Sequence, residues 1–317
     1  MTVPTADLRP SNRWLYLAIA LLLTASVGVQ AVRDRGWAPY VPPNPSMWVQ
    51  SGPLAGKLAL GFDNLVADVY WIRAVVYYGG KRRLSAEQQS ATPVSAANYE
   101  LLYPLLDLVT SLDPHFKTAY RFGAIFLTEA FPSGPGRPDL AIQLLQRGIE
   151  KDHGQWEYME DIGFVYYWWL RDFHKASEWF KRAGEQPGAP SWLAPLAATT
   201  LAQGGDRPSS RFLWKQILDN SDIEWLRRNA VIRLQQLDAM DTIDELNRRL
   251  SRFMTREQRA PRDWRELAAA EQLRGNPLDP TGVPYTVDLV RGRVDLDRQS
   301  SLWPLPWEPG AVAKPPS

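Results

Sequence analysis

Residues 156–190, WEYMEDIGFVYYWWLRDFHKASEWFKRAGEQPGAP, constrain the fold of this chain more than any other stretch. Two apolar-periodic segments, Glu157–Leu170 and His174–Gly184, flank a short polar turn at Arg171-Asp172. Segments joined by so short a turn bury their stripes against each other, which predicts an antiparallel helical hairpin. At helical spacing Met159, Ile162, Gly163 and Tyr166 share one face of the first helix. Ala176, Phe180 and Ala183 share one face of the second. Small residues belong where two helix axes approach and bulky ones in the hollows beside them. Gly163 and Ala176 are therefore the expected close-approach sites, with Tyr166 and Phe180 as fillers.

The pattern recurs on both sides. Upstream, Tyr120, Ala124 and Leu127 pair with Ala141, Leu145 and Gly148 across a long Pro/Gly-rich turn, Glu129–Asp139. Before them, Leu102, Leu106 and Val109 close with Leu112-Asp113-Pro114. Downstream, Ala194, Ala197, Ala198 and Leu201 lead through Gly205-Asp206 to Ser210, Trp214 and Ile217. The spacing resembles the tetratricopeptide repeat, with Met159 in place of its usual Trp, Ile162 in place of Leu, and Pro187 or Pro190 closing the unit. The resemblance implies an all-α fold, a solenoid of stacked hairpins over about 98–220, with related helices extending it to 57–275.

Composition bounds the rest. The 317 residues hold 36 basic and 35 acidic side chains and no cysteine. Disulfides, thiol catalysis and Cys-based metal sites are thereby excluded. Residues 1–13 are polar. Trp14–Val32 then runs nineteen residues without a charge, close to the ~20 a bilayer span takes. A cleaved signal peptide is one reading, with small residues at Val29-Gln30-Ala31. The run exceeds the usual signal core, which favours a retained single transmembrane anchor over it and over a buried helix. The expectation is a single-pass membrane protein whose folded part lies outside the cytoplasm, in the periplasm if the cell is bacterial.

Residues 33–56 read as a Pro-rich spacer. Leu58–Tyr78 is apolar nearly all round and reads as one buried helix packed on a second from Ala97 to Leu112. Asp63, Asp68 and Arg73 argue against a second span. Lys81–Ser95 reads as a solvent-facing loop. After the repeats, Ser221-Asp222-Ile223-Glu224 reads as a capping box. Helices are expected to about Asp238, over Thr242–Met254, and from Pro261 to Gly275. Ile223–Gly275 carries eleven basic and nine acidic residues, interspersed, which fits a solvated surface and not nucleic-acid binding. In 276–317, Tyr285–Leu289 and Arg293–Leu296 alternate around Arg291-Gly292 and predict a small β-hairpin. Asp279-Pro280-Thr281-Gly282-Val283-Pro284-Tyr285 is similar to a short stretch of type II secretion pseudopilins, a likeness of under twenty residues that turn chemistry alone can produce. From Ser301 the end reads as extended.

Motifs for chemistry are sparse. His115, His153 and His174 sit at separate turns without metal-ligand spacing, and no P-loop or dinucleotide fingerprint occurs. Glu157, Glu160 and Asp161 open a helix, where acidic residues complement its dipole. No cofactor, metal site or enzymatic activity is expected. Members of the repeat family bind peptides or partner domains in a concave groove. The resemblance implies that Thr118, Arg121, Ile125 and Thr128 line it in one repeat, and Glu157, Glu160, Phe164, Tyr167 and Trp168 in the next. The expected function is a membrane-anchored scaffold for a protein partner. The other reading is a structural component of an envelope secretion or pilus machine, its tail hairpin adding a strand to a partner's sheet.

Overall fold

The computed structural model describes residues 13–36, 52–88, 99–273, 275–288 and 292–308. It divides into two units, residues 1–46 and 47–317. The first contains helix α1, Arg13–Gly36, which continues four residues beyond the expected end at Val32. Every side chain described in it, Tyr16 to Val32, is exposed. Among the described residues no helix is long and apolar enough to cross a membrane. Residues 1–12 and most of the expected spacer, 37–51, lie outside the described residues.

The second unit is mostly helical. Its elements are α2 (Gly52–Ala59), α3 (Asp63–Gln88), α4 (Leu102–Leu112), α5 (Lys117–Thr128), α6 (Pro138–Lys151), α7 (Trp156–Val165), α8 (Phe173–Gly184), α9 (Leu193–Gln203), α10 (Arg207–Asn220), α11 (Glu224–Glu257) and α12 (Trp264–Ala270), then strands β1 (Thr286–Asp288) and β2 (Arg293–Asp295). From α3 to α11 each helix packs on the next. In addition α4 touches α6 and α5 touches α7. Hairpins therefore stack with first helices side by side and second helices side by side.

The seam of the α7–α8 hairpin is built as its spacing predicts. Ala176, Phe180 and Ala183 are fully buried. A Cβ placed on Gly163 would stand 2.5 Å from Phe180 Cε1, so glycine is what lets the ring lie against the α7 backbone. Gly123 is close to Leu106 and Leu144 in the same way, and Gly148 to Tyr120 and Tyr158. Tyr166 is only half-buried, with the Lys175 ammonium 5.4 Å from its ring centre. Arg171, at φ 55°, ends the first arm, and the Asp172 carboxylate caps α8 by accepting from Lys175 N at 3.0 Å.

Several expectations fail. Leu58–Tyr78 is two helices, broken at Leu60 and Gly61, both at positive φ. It is not buried all round: α3 turns Ala67, Tyr70, Ala74 and Tyr78 inward and leaves a run of aliphatic side chains in solvent. α3 also continues to Gln88, into the expected loop, whose residues 89–95 lie outside the described residues. The end of the spacer, from Gly52, is already α2. α4 starts at Leu102, five residues later than expected. The capping box does not form: Ile223 is the N-cap of α11 without a side-chain bond, while Ser221 Oγ accepts only from Ile223 N. The two helices expected after it are one, α11, of 34 residues. The third is short, capped by Asp263 and ended at Ala270.

The hairpin is present, pairing Val287 with Val294, although residues 289–291 of its turn lie outside the described residues. Asp279 folds the preceding turn by accepting from Thr281 N at 2.8 Å and Val283 N at 2.9 Å. The end of the chain is docked along α11 as far as Glu308; 309–317 lie outside the described residues. Gln236 Nε2 donates to Leu302 O at 2.7 Å and Pro304 O at 3.0 Å. Tyr285, Val294, Leu296 and Leu302 share a core with Leu246, Leu250 and Phe253 of α11 and Leu267 of α12. Arg207 of α10 closes the assembly on the Glu308 carboxylate, through two 2.6 Å bonds, and reaches Asp241 and Asp244 of α11.

Candidate functional site

Residues of the expected groove come together along the neighbouring helices α5 and α7. Lys117 Nζ lies 2.6 Å from Glu157 Oε1. One turn on, Arg121 grips the Asp161 carboxylate in fork geometry, Nε to Oδ2 at 2.6 Å and Nη2 to Oδ1 at 2.9 Å. Both pairs are forty residues apart in sequence, so the two helices run parallel. The row of second helices carries a matching pair one hairpin earlier, Arg147 of α6 on Asp107 of α4, again forty apart. A rung of equal sequence offset in each row fixes the stacking register.

This arrangement changes what the charges can do. The Arg121 guanidinium is taken by Asp161, with Glu160 Oε2 3.5 Å away, and is not a free donor for a ligand. Glu157 is neutralised by Lys117, which holds its carboxyl below the usual range in spite of burial. Glu160 is left worst served. Burial, then the charge of Asp161, pushes its carboxyl up to about 6, against the pull of Arg121. Asp161 is also raised, because burial outweighs the hydrogen bond from Arg121.

Stability should respond accordingly. A folded Glu160 keeps its proton where the unfolded chain has already lost it, so its contribution falls as pH rises from about 4.5 to about 6 and is flat above. Glu160→Gln should therefore raise stability at pH 7 by about 1–2 kcal/mol. The difference between denaturation profiles of the two proteins should carry that slope. A difference independent of pH between 4 and 7 would refute the assignment.

Beyond the ion pairs the helix widens. Tyr166–Leu170 forms a π-helical turn, a rare geometry that re-aims side chains and recurs at functional sites. Tyr167 is pinned: its hydroxyl donates to Gln203 Oε1 at 2.7 Å, and its ring stands edge-on to Phe173 and Trp168. Phe164 packs edge-on against Phe180, 5.0 Å between centres. Trp168 is 56% exposed, with Trp169 and Leu170 exposed beside it. On α5, Ile125 and Phe122 are exposed, whereas Thr128 is buried, its hydroxyl donating to Ile125 O.

Comparison with protein-family models, with curated proteins and with solved structures returns no match. The geometry therefore carries the functional reading by itself. Among the described residues no three His, Asp or Glu side chains converge as metal ligands. His174 instead meets Asp206, Nε2 to Oδ2 at 2.7 Å. Of the nine groove residues named from sequence, Thr118, Ile125 and Trp168 are exposed and Thr128 is buried. Arg121, Glu157 and Glu160 belong to the ion-pair ladder, while Phe164 and Tyr167 support the aromatic turn. Sequence reading missed Phe122, Trp169 and Leu170 as exposed surface. The signal for the ladder was there, in opposite charges repeated at an offset of forty.

Proposed function

We propose that this chain is a membrane-attached scaffold of tetratricopeptide-like hairpins that holds a protein or peptide partner against the exposed face of α5 and the turn Tyr166–Leu170. The observation that carries this is Trp168: a large aromatic side chain held in solvent on a π-helical turn whose neighbour Tyr167 is fixed at its ring and its hydroxyl. Rigid, exposed aromatics of this kind dominate binding energy once a partner covers them. Specificity comes from shape and apolar contact, since the nearby cations are internally neutralised. Attachment through α1 is supported by seventeen consecutive exposed, uncharged residues, Tyr16–Val32, about 26 Å of helix at 1.5 Å per residue. Trp14 and Leu15 extend the uncharged sequence to nineteen residues. In this reading the hairpins lie outside the cytoplasm, in the periplasm if the cell is bacterial.

Partner capture by the full chain, followed by measurement of affinity, tests the site. Trp168→Ala should weaken binding by about 2 kcal/mol or more while leaving the thermal melt unchanged, because the side chain is mostly in solvent. Undiminished affinity in that variant would end the assignment. Deleting 276–317 is not a usable test of a role for the hairpin in assembly, since it would strip the covering from α11.

A further inference from the structure

The outer face of α3 carries a pattern that its packing does not use. Ala67, Tyr70, Ala74 and Tyr78 face the core. At 100° per residue, Leu65, Val69, Ile72 and Val76 fall on the opposite side of the same helix. They are 60%, 48%, 60% and 67% exposed. Across the break at Leu60-Gly61, Phe62 and Leu58 extend the apolar surface toward α2, 67% and 62% exposed. A soluble surface rarely leaves so long a contiguous aliphatic row uncovered. The charges beside it are unequal: at the same spacing Arg73 and Arg83 lie on or beside the row and Lys57 is exposed on α2, against Asp68, while Lys81 lies on the core side with its ammonium 5.7 Å from the Tyr77 ring.

We infer that this α2–α3 face lies on an anionic lipid surface, its aliphatic row sunk among the upper acyl chains and its basic residues among the headgroups. The inference rests on the membrane attachment proposed above. Apolar burial together with cations is the combination that holds an amphipathic helix at an anionic interface. A second apolar helix as the occupant would account for the aliphatic row and leave the excess of cations unexplained. Only residues 37–51 separate α1 from α2, a tether of at most about 50 Å. Such a face would hold the hairpins close to the bilayer and set which side of them a partner approaches.

The absence of cysteine makes the test direct. Val69→Cys in the full chain takes a single polarity-sensitive fluorophore, and Glu178→Cys, at an exposed position of α8, is the control. Each is mixed with vesicles of phosphatidylcholine with or without phosphatidylglycerol, containing acyl-chain spin labels, and flotation reports attachment separately. The expected result is a blue-shifted Val69 label, quenched several-fold more than the Glu178 label, with the contrast reduced in neutral vesicles. A protein that floats while its Val69 label stays aqueous overturns the inference and leaves attachment through α1 standing. Failure to float overturns both. A blue shift that grows with protein concentration without vesicles assigns the face to a second copy of the chain, and equal quenching in neutral vesicles removes the anionic surface. Both refute the inference as stated.

Discussion

Trp214→Ala should cost about 3–5 kcal/mol, the range for removing a large buried aromatic. Trp214 is 1% exposed and joins three helices. Its indole shares a core with Ala198 and Ala202 of α9 and Ala230, Leu237 and Met240 of α11. The three alanines on its walls cannot reach into the space, which limits how far the site can collapse. The same cluster reaches Leu305 of the docked chain end, so loosening it should also free that segment. Chemical denaturation gives the magnitude, and proteolysis near Trp303 should report the release. A loss below about 1 kcal/mol would mean that the walls collapse onto the site after all.

Gly163→Ala should destabilise the chain by about 1–3 kcal/mol although alanine is the better helix former. The added methyl would meet the Phe180 ring at 2.5 Å, and Phe180 is completely buried, with no free direction to yield. Ala176→Leu, from the other wall of the hairpin, should overpack by a similar amount. The decisive measurement is a double-mutant cycle. Phe180→Leu alone should destabilise, but in the Gly163→Ala background part of that cost should vanish because the clash is relieved. Additive effects would show that the two positions do not meet. Because stacked hairpins share their stability with neighbours, the thermal transition should fall or split around α7–α8.

The sequence by itself determined the hairpins from α4 to α10, the burial of Gly163, Ala176 and Phe180 between α7 and α8, and the terminal β-hairpin. These follow from local periods of 3.6 and 2 and from residues whose size has only one use at a helix crossing. What lies beyond one hairpin was not legible in that way. An apolar run such as Leu58–Tyr78 states that its side chains avoid water without stating what covers them, and the structure covers one face and leaves Leu65, Val69, Ile72 and Val76 bare. The run Glu224–Glu257 reads in sequence as two helices, one to about Asp238 and one over Thr242–Met254. It stays one helix because the docked tail supplies a partner along its length, including the bonds from Gln236 to Leu302 and Pro304. At the candidate site the residue types were legible and their employment was not. Arg121 and Glu157 look like binding groups in a linear text; whether a charge is offered to a ligand or spent on a neighbour depends on what stands beside it, and the side chains that engage them lie forty residues away. Only the stacking of one hairpin on the next brings those charges within hydrogen-bond reach.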